Sequence, residues 1–168
     1  MNEQEQRHVI AVLVDNEPGV LARVIGLFSG RGYNIDSLTV SAVDRTRNLS
    51  RINIVTRGTA LVIEQIKALL DKLVPVHSVQ DLTIEGPHVE RELALVKVSG
   101  DREQLVQALR IADFMHARLA DSTIESFVFE ITGSSDQLDA FINLMEPLGL
   151  REVSRAGVVA IARGTQGL

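Results

Sequence analysis

HVIAVLVDNEPGVLARVIGLFSGRGYNIDSLTV, residues His8–Val40, lays out a strand, a turn, a helix and a second strand in succession. Its first part, HVIAVLVD, carries six consecutive apolar residues, Val9 to Val14, rich in β-branched side chains. That length and composition predict a buried strand. A turn follows at once, DNEPG. From Pro18 to about Arg31 the apolar residues Val20, Leu21, Val24, Ile25, Leu27 and Phe28 recur at helical spacing, so this segment buries one face of a helix. Pro18 stands where a missing N–H costs nothing, and Gly30 and Gly32 mark the helix end. NIDSLTVSAV then resumes as a strand.

Beyond this stretch, DRTRNLS is a polar turn into the strand RINIVTR, and the two strands form a hairpin. A second helix is predicted from about Ala60 to Leu73, with Val62, Ile66, Leu69, Leu70 and Leu73 on one face, and VHSVQDLTI is a fourth strand. The order β-α-β-β-α-β is that of a ferredoxin-like unit, an antiparallel sheet with both helices on one face. EGPHVER has Gly, Pro and charges without apolar periodicity and is the natural linker, residues 85–91. The rhythm then restarts. ELALVKVS is a strand, Asp101 to Phe114 a helix, HARLAD and IESFVFEIT strands, Ser134 to Glu146 a helix, and LREVSRAGVVAIA further strand. The expected architecture is α+β, two ferredoxin-like domains in tandem at residues 1–84 and 92–168. One domain packing all these elements together is the alternative.

Composition narrows the function. With 168 residues, 45% of them apolar, the chain can bury one large core or two small ones. Cysteine is absent, which removes disulfides, thiolate nucleophiles and Cys-ligated metal sites. A formal net charge of −5 gives no general attraction to phosphate backbones. The longest apolar run is far short of a membrane span. The opening MNEQEQRHVI has the character of neither a secretory signal nor a transit peptide, and a cytoplasmic location is expected. His8, His77, His88 and His116 are scattered, with no metal-binding spacing, and are expected at the surface or at strand ends. GLFSGRGYN is glycine-rich, but its glycines close a helix, whereas a dinucleotide loop opens one.

One local site has a mechanism, the turn Asp15-Asn16-Glu17-Pro18-Gly19-Val20-Leu21. A helix N-terminus leaves N–H groups unsatisfied and carries partial positive charge, so it attracts carboxylates, and an amino acid carries one. Gly19 lacks a Cβ and lets a ligand approach the backbone, and the Asn16 amide can donate or accept. Asn34, at the start of the second strand, is expected near the same end of the sheet, where its carbonyl could take an ammonium proton. The same residues would serve equally well to shape a turn and begin a strand. Spacing does not separate the two.

VLVDNEPGVLARVIGLFSGRGYNIDSLTV closely resembles the N-terminal amino-acid-binding (ACT) domain of acetohydroxyacid (acetolactate) synthase small regulatory subunits. NLSRINIV, IEQIKALLDKLVPVHSV and HVERELALVKV continue the resemblance, and GVVAIARG is similar to the family's ending. DREQLVQALRIADFMHARLAD, between Gly100 and Asp121, departs most from the family pattern. The resemblance implies a dimer of ACT domains with the effector, valine or else leucine or isoleucine, between subunits. The implied contacts are Asn16, Gly19, Val20 and Leu21 of one chain with Asn34 and Ile35 of the other.

It further implies a non-catalytic chain without cofactors of its own, which activates a catalytic large subunit and confers feedback inhibition in branched-chain amino-acid synthesis. Thiamine diphosphate, Mg and FAD are expected in that partner. No nucleic acid or membrane is expected as a partner. The basic loop Arg45, Arg47 and Arg51 reads as a solvated hairpin turn or as a dock for an acidic partner. A free-standing sensor controlling transcription, and an enzyme in its own right, are the rival readings. The missing basic stripe and the missing catalytic motifs oppose them.

Overall fold

The computed structural model describes residues 4–168. The elements run β1 (Gln6–Asp15), α1 (Val20–Ser29), β2 (Ile35–Asp44), β3 (Leu49–Gly58), α2 (Ala60–Asp71), β4 (Val76–Asp81), β5 (His88–Ser99), α3 (Arg102–Phe114), β6 (Arg118–Ser122), β7 (Ser126–Gly133), α4 (Ser135–Met145), β8 (Leu150–Arg155) and β9 (Val159–Ala162). The chain divides into two compact units. One holds the residues up to Glu90 together with Val158–Leu168, and the other holds Arg91–Gly157.

In the first unit the strands lie in the order β2-β3-β1-β4, every neighbouring pair antiparallel. β1 is central, and its apolar run divides between two faces because successive side chains alternate. Ile10, Val12 and Val14 join Ile52 and Ile54 of β3 under Val24 and Phe28 of α1 and Ile63, Ile66 and Leu70 of α2. Val9 and Ala11 point the other way, into a second cluster with Val55, Leu82, Val158 and Ala160. The unbroken apolar character of HVIAVLV thus has a cause: both faces of this strand are covered.

The second unit repeats the order as β6-β7-β5-β8. Ala94, Val96 and Val98 of β5 pack with Phe129 and Ile131 of β7 against Leu105 and Ala108 of α3 and Leu138 and Phe141 of α4. Leu93 and Leu95, on the alternate positions of β5, are exposed. The helices begin on matching motifs. Gly100-Asp101 with Gln104, and Gly133-Ser134 with Gln137, each form a reciprocal capping box.

Two boundaries differ from the expectation. Residues 88–91, taken from sequence as linker, are already strand in β5, where HVER alternates half-buried and exposed positions. The stretch 150–162, read from sequence as further strand, forms two strands, β8 and β9. It breaks at Gly157, whose φ is 87°, and the residues beyond return to the first unit instead of staying in a second domain of 92–168. The apolar alternates Val158 and Ala160 are what the open face of the first sheet lacks. No helix of the described residues is long and apolar enough to cross a membrane.

Candidate functional site

The turn between β1 and α1 is held from three directions. The Asp15 N–H donates to the Pro75 carbonyl at 2.9 Å and the Asn16 N–H to the Asn48 carbonyl at 2.8 Å. Asn48 returns a side-chain bond, Nδ2 to the Asn16 carbonyl at 3.2 Å. His77 Nε2 lies 2.6 Å from Asp15 Oδ1. Asn48 has a positive φ of 56°, which asparagine tolerates at a tight hairpin corner. Sequence reading missed Asn48 and His77, and only the asparagine in DRTRNLS hinted at such a corner.

Gly19 is the N-cap of α1, with φ 85°, and no side chain caps this helix. The other three helices are capped by Thr59, Asp101 and Ser134. The first turn of α1 therefore keeps donors that its counterparts have satisfied. It also carries no acidic residue to neutralise its partial positive charge. Val20 is buried beneath it, while Leu21 is 37% exposed and borders the open end. Asn16 is exposed.

Asn34 and Ile35 stand elsewhere. Ile35 pairs with Thr56, which pairs with His8 near the start of β1. Asp15 pairs with Leu49 at the opposite end of the same ladder. Leu49 and Thr56 are seven residues apart along β3, about 23 Å at strand rise. The expectation that Asn34 shares an end of the sheet with the turn is therefore corrected. α1 runs back antiparallel to β1, so β2 begins where β1 began.

Asn34 is itself constrained. Its carbonyl accepts from Thr56 Oγ1 at 2.6 Å, and its Nδ2 donates to Asp36 Oδ1 at 2.7 Å. The second Asp36 oxygen accepts from Arg57 Nε at 2.9 Å. An ionised carboxylate only accepts, so it holds the amide NH2 and turns the Asn34 Oδ1 away, free to accept.

Of the histidines, His8 takes the strand-end place expected of it, the third residue of β1, but not a surface one. It is buried, with Nδ1 2.7 Å from Asp81 Oδ2, and the Asp81 side chain is fully buried. The basic loop is also not one feature. Arg51 is engaged with Asn53 and with the Ala160 carbonyl, and burial lowers its pKa.

Family comparison bears on both units. Residues 10–78 match the model of the AHAS small subunit-like ACT domain, and residues 91–164 match that of the small subunit of acetolactate synthase. The chain belongs to the acetolactate synthase small-subunit family. The probable acetolactate synthase small subunit of Archaeoglobus fulgidus is 44% identical over 160 residues, covering 95% of this chain and 99% of the relative. The isozyme 3 small subunit of Salmonella typhimurium is 43% identical, covering 94% and 96%. The crystal structure of the Thermotoga maritima small subunit superposes with a TM-score of 0.86 at 36% identity, over 96% of this chain and 99% of that one. The first unit is thus an ACT domain, and the chain is of the regulatory, non-catalytic kind. The family match runs through 101–121, the stretch whose wording is least typical.

Proposed function

We propose that this chain activates the catalytic large subunit of acetolactate synthase by association and imposes feedback inhibition when valine, or another branched-chain amino acid, binds between two copies of its ACT domain. The observation that carries this reading is the separation of the two residue groups. Asn16, Gly19, Val20 and Leu21 lie at one end of the sheet, and Asn34 and Ile35 at the other. No effector of amino-acid size spans about 23 Å, so one chain cannot supply all six contacts.

Two copies can. β2 is an edge strand, and a two-fold axis that sets two β2 edges antiparallel brings the start of each beside the far end of the other. The far end of β2 adjoins the Asn48 corner that grips Asn16. In this arrangement the effector carboxylate meets the uncapped start of α1, and its ammonium meets the Asn34 Oδ1. Leu21 and Ile35 border its short branched side chain.

Thiamine diphosphate, the divalent metal and FAD belong, in this reading, to the large subunit, and the complex works in the cytoplasm. Inhibition requires the effector to bind two states of that complex with different affinity. Reconstitution tests it: the purified chain is mixed with the catalytic large subunit and acetolactate formation is assayed with and without valine, leucine and isoleucine. The expected result is a rise in activity on mixing and a fall on adding effector. Activity unchanged by mixing would overturn the proposal.

A further inference from the structure

Val158, where the last eleven residues of the chain begin, is fastened to β2, the strand that starts at Ile35 beside Asn34. Val158 is 3% exposed and Ala160 6%, packed on Val9, Ala11, Val55 and Leu82. Polar bonds fix the segment in one register. The Val158 N–H donates to Ser37 Oγ at 2.8 Å, and Thr39 Oγ1 donates to the Val158 carbonyl at 3.1 Å. Asn53 Nδ2 donates to Thr39 Oγ1 at 3.0 Å, and Arg51 Nη2 donates to the Ala160 carbonyl at 2.7 Å. Arg51 Nε donates to Asn53 Oδ1 at 3.3 Å and so closes a chain of side chains from Arg51 to Val158.

Apolar contact alone would let such a segment slide, whereas a connected set of hydrogen bonds holds it at one position. Ser37 and Thr39 come two and four residues after Ile35, about 7 and 13 Å along the strand. The register of β2 against β3 shifts between Ile35 and Ser37, an irregularity of the kind at which a strand bends. Upstream, the segment is continuous through Ala156 and Gly157 with β8, the last strand of the second unit.

We propose that Ser37, Thr39, Asn53 and Arg51 are positioning residues of the regulatory response, clamping the C-terminal segment so that a displacement of β2 at Asn34–Ile35 is handed to it and onward along the chain to β8. The inference rests on the effector reading above. It makes the segment from Val158 the element whose position the effector changes, and it gives Arg51 a role in regulation that a solvated turn would not have.

The test uses the complex reconstituted with the catalytic subunit, comparing the parent with Arg51→Met, Thr39→Val and Arg51→Lys. In Arg51→Met and Thr39→Val, calorimetric affinity for valine stays within about twofold and activation on mixing is kept. The valine concentration for half-inhibition rises about fivefold or more, the scale of an ordinary allosteric coupling, and amide exchange at 158–162 quickens. Arg51→Lys, which keeps one donor for the Ala160 carbonyl, recovers part of the inhibition. Arg51→Met with quickened exchange but parental inhibition would overturn the clamp, as would loss of valine binding together with inhibition. Truncation after Gly157 is the second variant, and a truncated chain still inhibited like the parent would overturn it too. Should the parent itself bind no valine, the effector reading has failed, and that outcome is visible before any clamp variant is made.

Discussion

Gly19 separates two effects that a single substitution would merge. Its φ of 85° strains any other residue, yet a Cβ built there meets nothing within 4 Å. Gly19→Ala is expected to lower stability by about 1–2 kcal/mol and to leave valine binding measurable by calorimetry. Gly19→Asp is expected to abolish it. A carboxylate about 4 Å from the effector's own repels by about 4 kcal/mol at an effective dielectric of 20, as much as a millimolar ligand gains on binding. Asn34→Ala is expected to give activity insensitive to effector while activation is retained, as read in the reconstituted assay.

Glu92 offers a residue-scale test of the second unit. Its carboxylate accepts Arg155 Nε at 2.8 Å, Arg155 Nη2 at 2.7 Å and Ser135 Oγ at 3.1 Å. The Arg155 bonds chiefly hold its pKa below the ordinary 4.5. A depressed carboxyl contributes stability above its unfolded pKa and loses it as pH falls through the folded one. Glu92→Gln should therefore cost about 2 kcal/mol at pH 7, with the gap to the parent narrowing below pH 4.5 in urea titrations. Asn16 and Gly19 were legible in the sequence as a strand-to-helix turn, because the signals for such a turn are local. Asn48 and His77, which hold that turn, were not, because strand pairing and not sequence neighbourhood brings them there.

Among the elements, helix starts carry the clearest local instructions. Ser134 Oγ accepts the Gln137 N–H at 3.2 Å while Gln137 Oε1 accepts the Ser134 N–H at 2.9 Å. Ser134→Ala should lower the stability of the second unit by about 1 kcal/mol, measured by urea unfolding and expected to leave valine binding by the ACT domain unchanged. The order of elements was legible throughout, since the periods of strand and helix differ and Gly or Pro punctuates them. The partner of each strand was less so. β1 and β5 occupy equivalent places, yet HVIAVLVD is apolar on both faces and ELALVKVS is buried on one. That contrast is the trace of the covered face, and what covers it is Leu82 together with Val158 and Ala160, the last two over a hundred residues later in the chain. Nothing local in GVVAIA says that β9 will pair with β5 while its apolar alternates pack on β1.

For the whole molecule, the family resemblance and the strand register meet on one question. The resemblance names six contact residues and divides them between two chains. The strand register within one chain puts the same two groups at opposite ends of a sheet. The two groups do not share an end because α1 runs back along β1, so β2 starts where β1 began.

Mixing two inactive variants asks directly whether the effector site is built from two chains. Gly19→Asp spoils the turn and Asn34→Ala spoils the strand start, so neither homodimer retains an intact site. A mixed dimer pairs the sound turn of one chain with the sound Asn34 of the other and rebuilds one site of its two. After equilibration of equal amounts, calorimetry should recover valine binding at about a quarter of the parental sites, with neither variant binding alone. A mixture that exchanges subunits fully and still binds no valine would contradict the two-chain site.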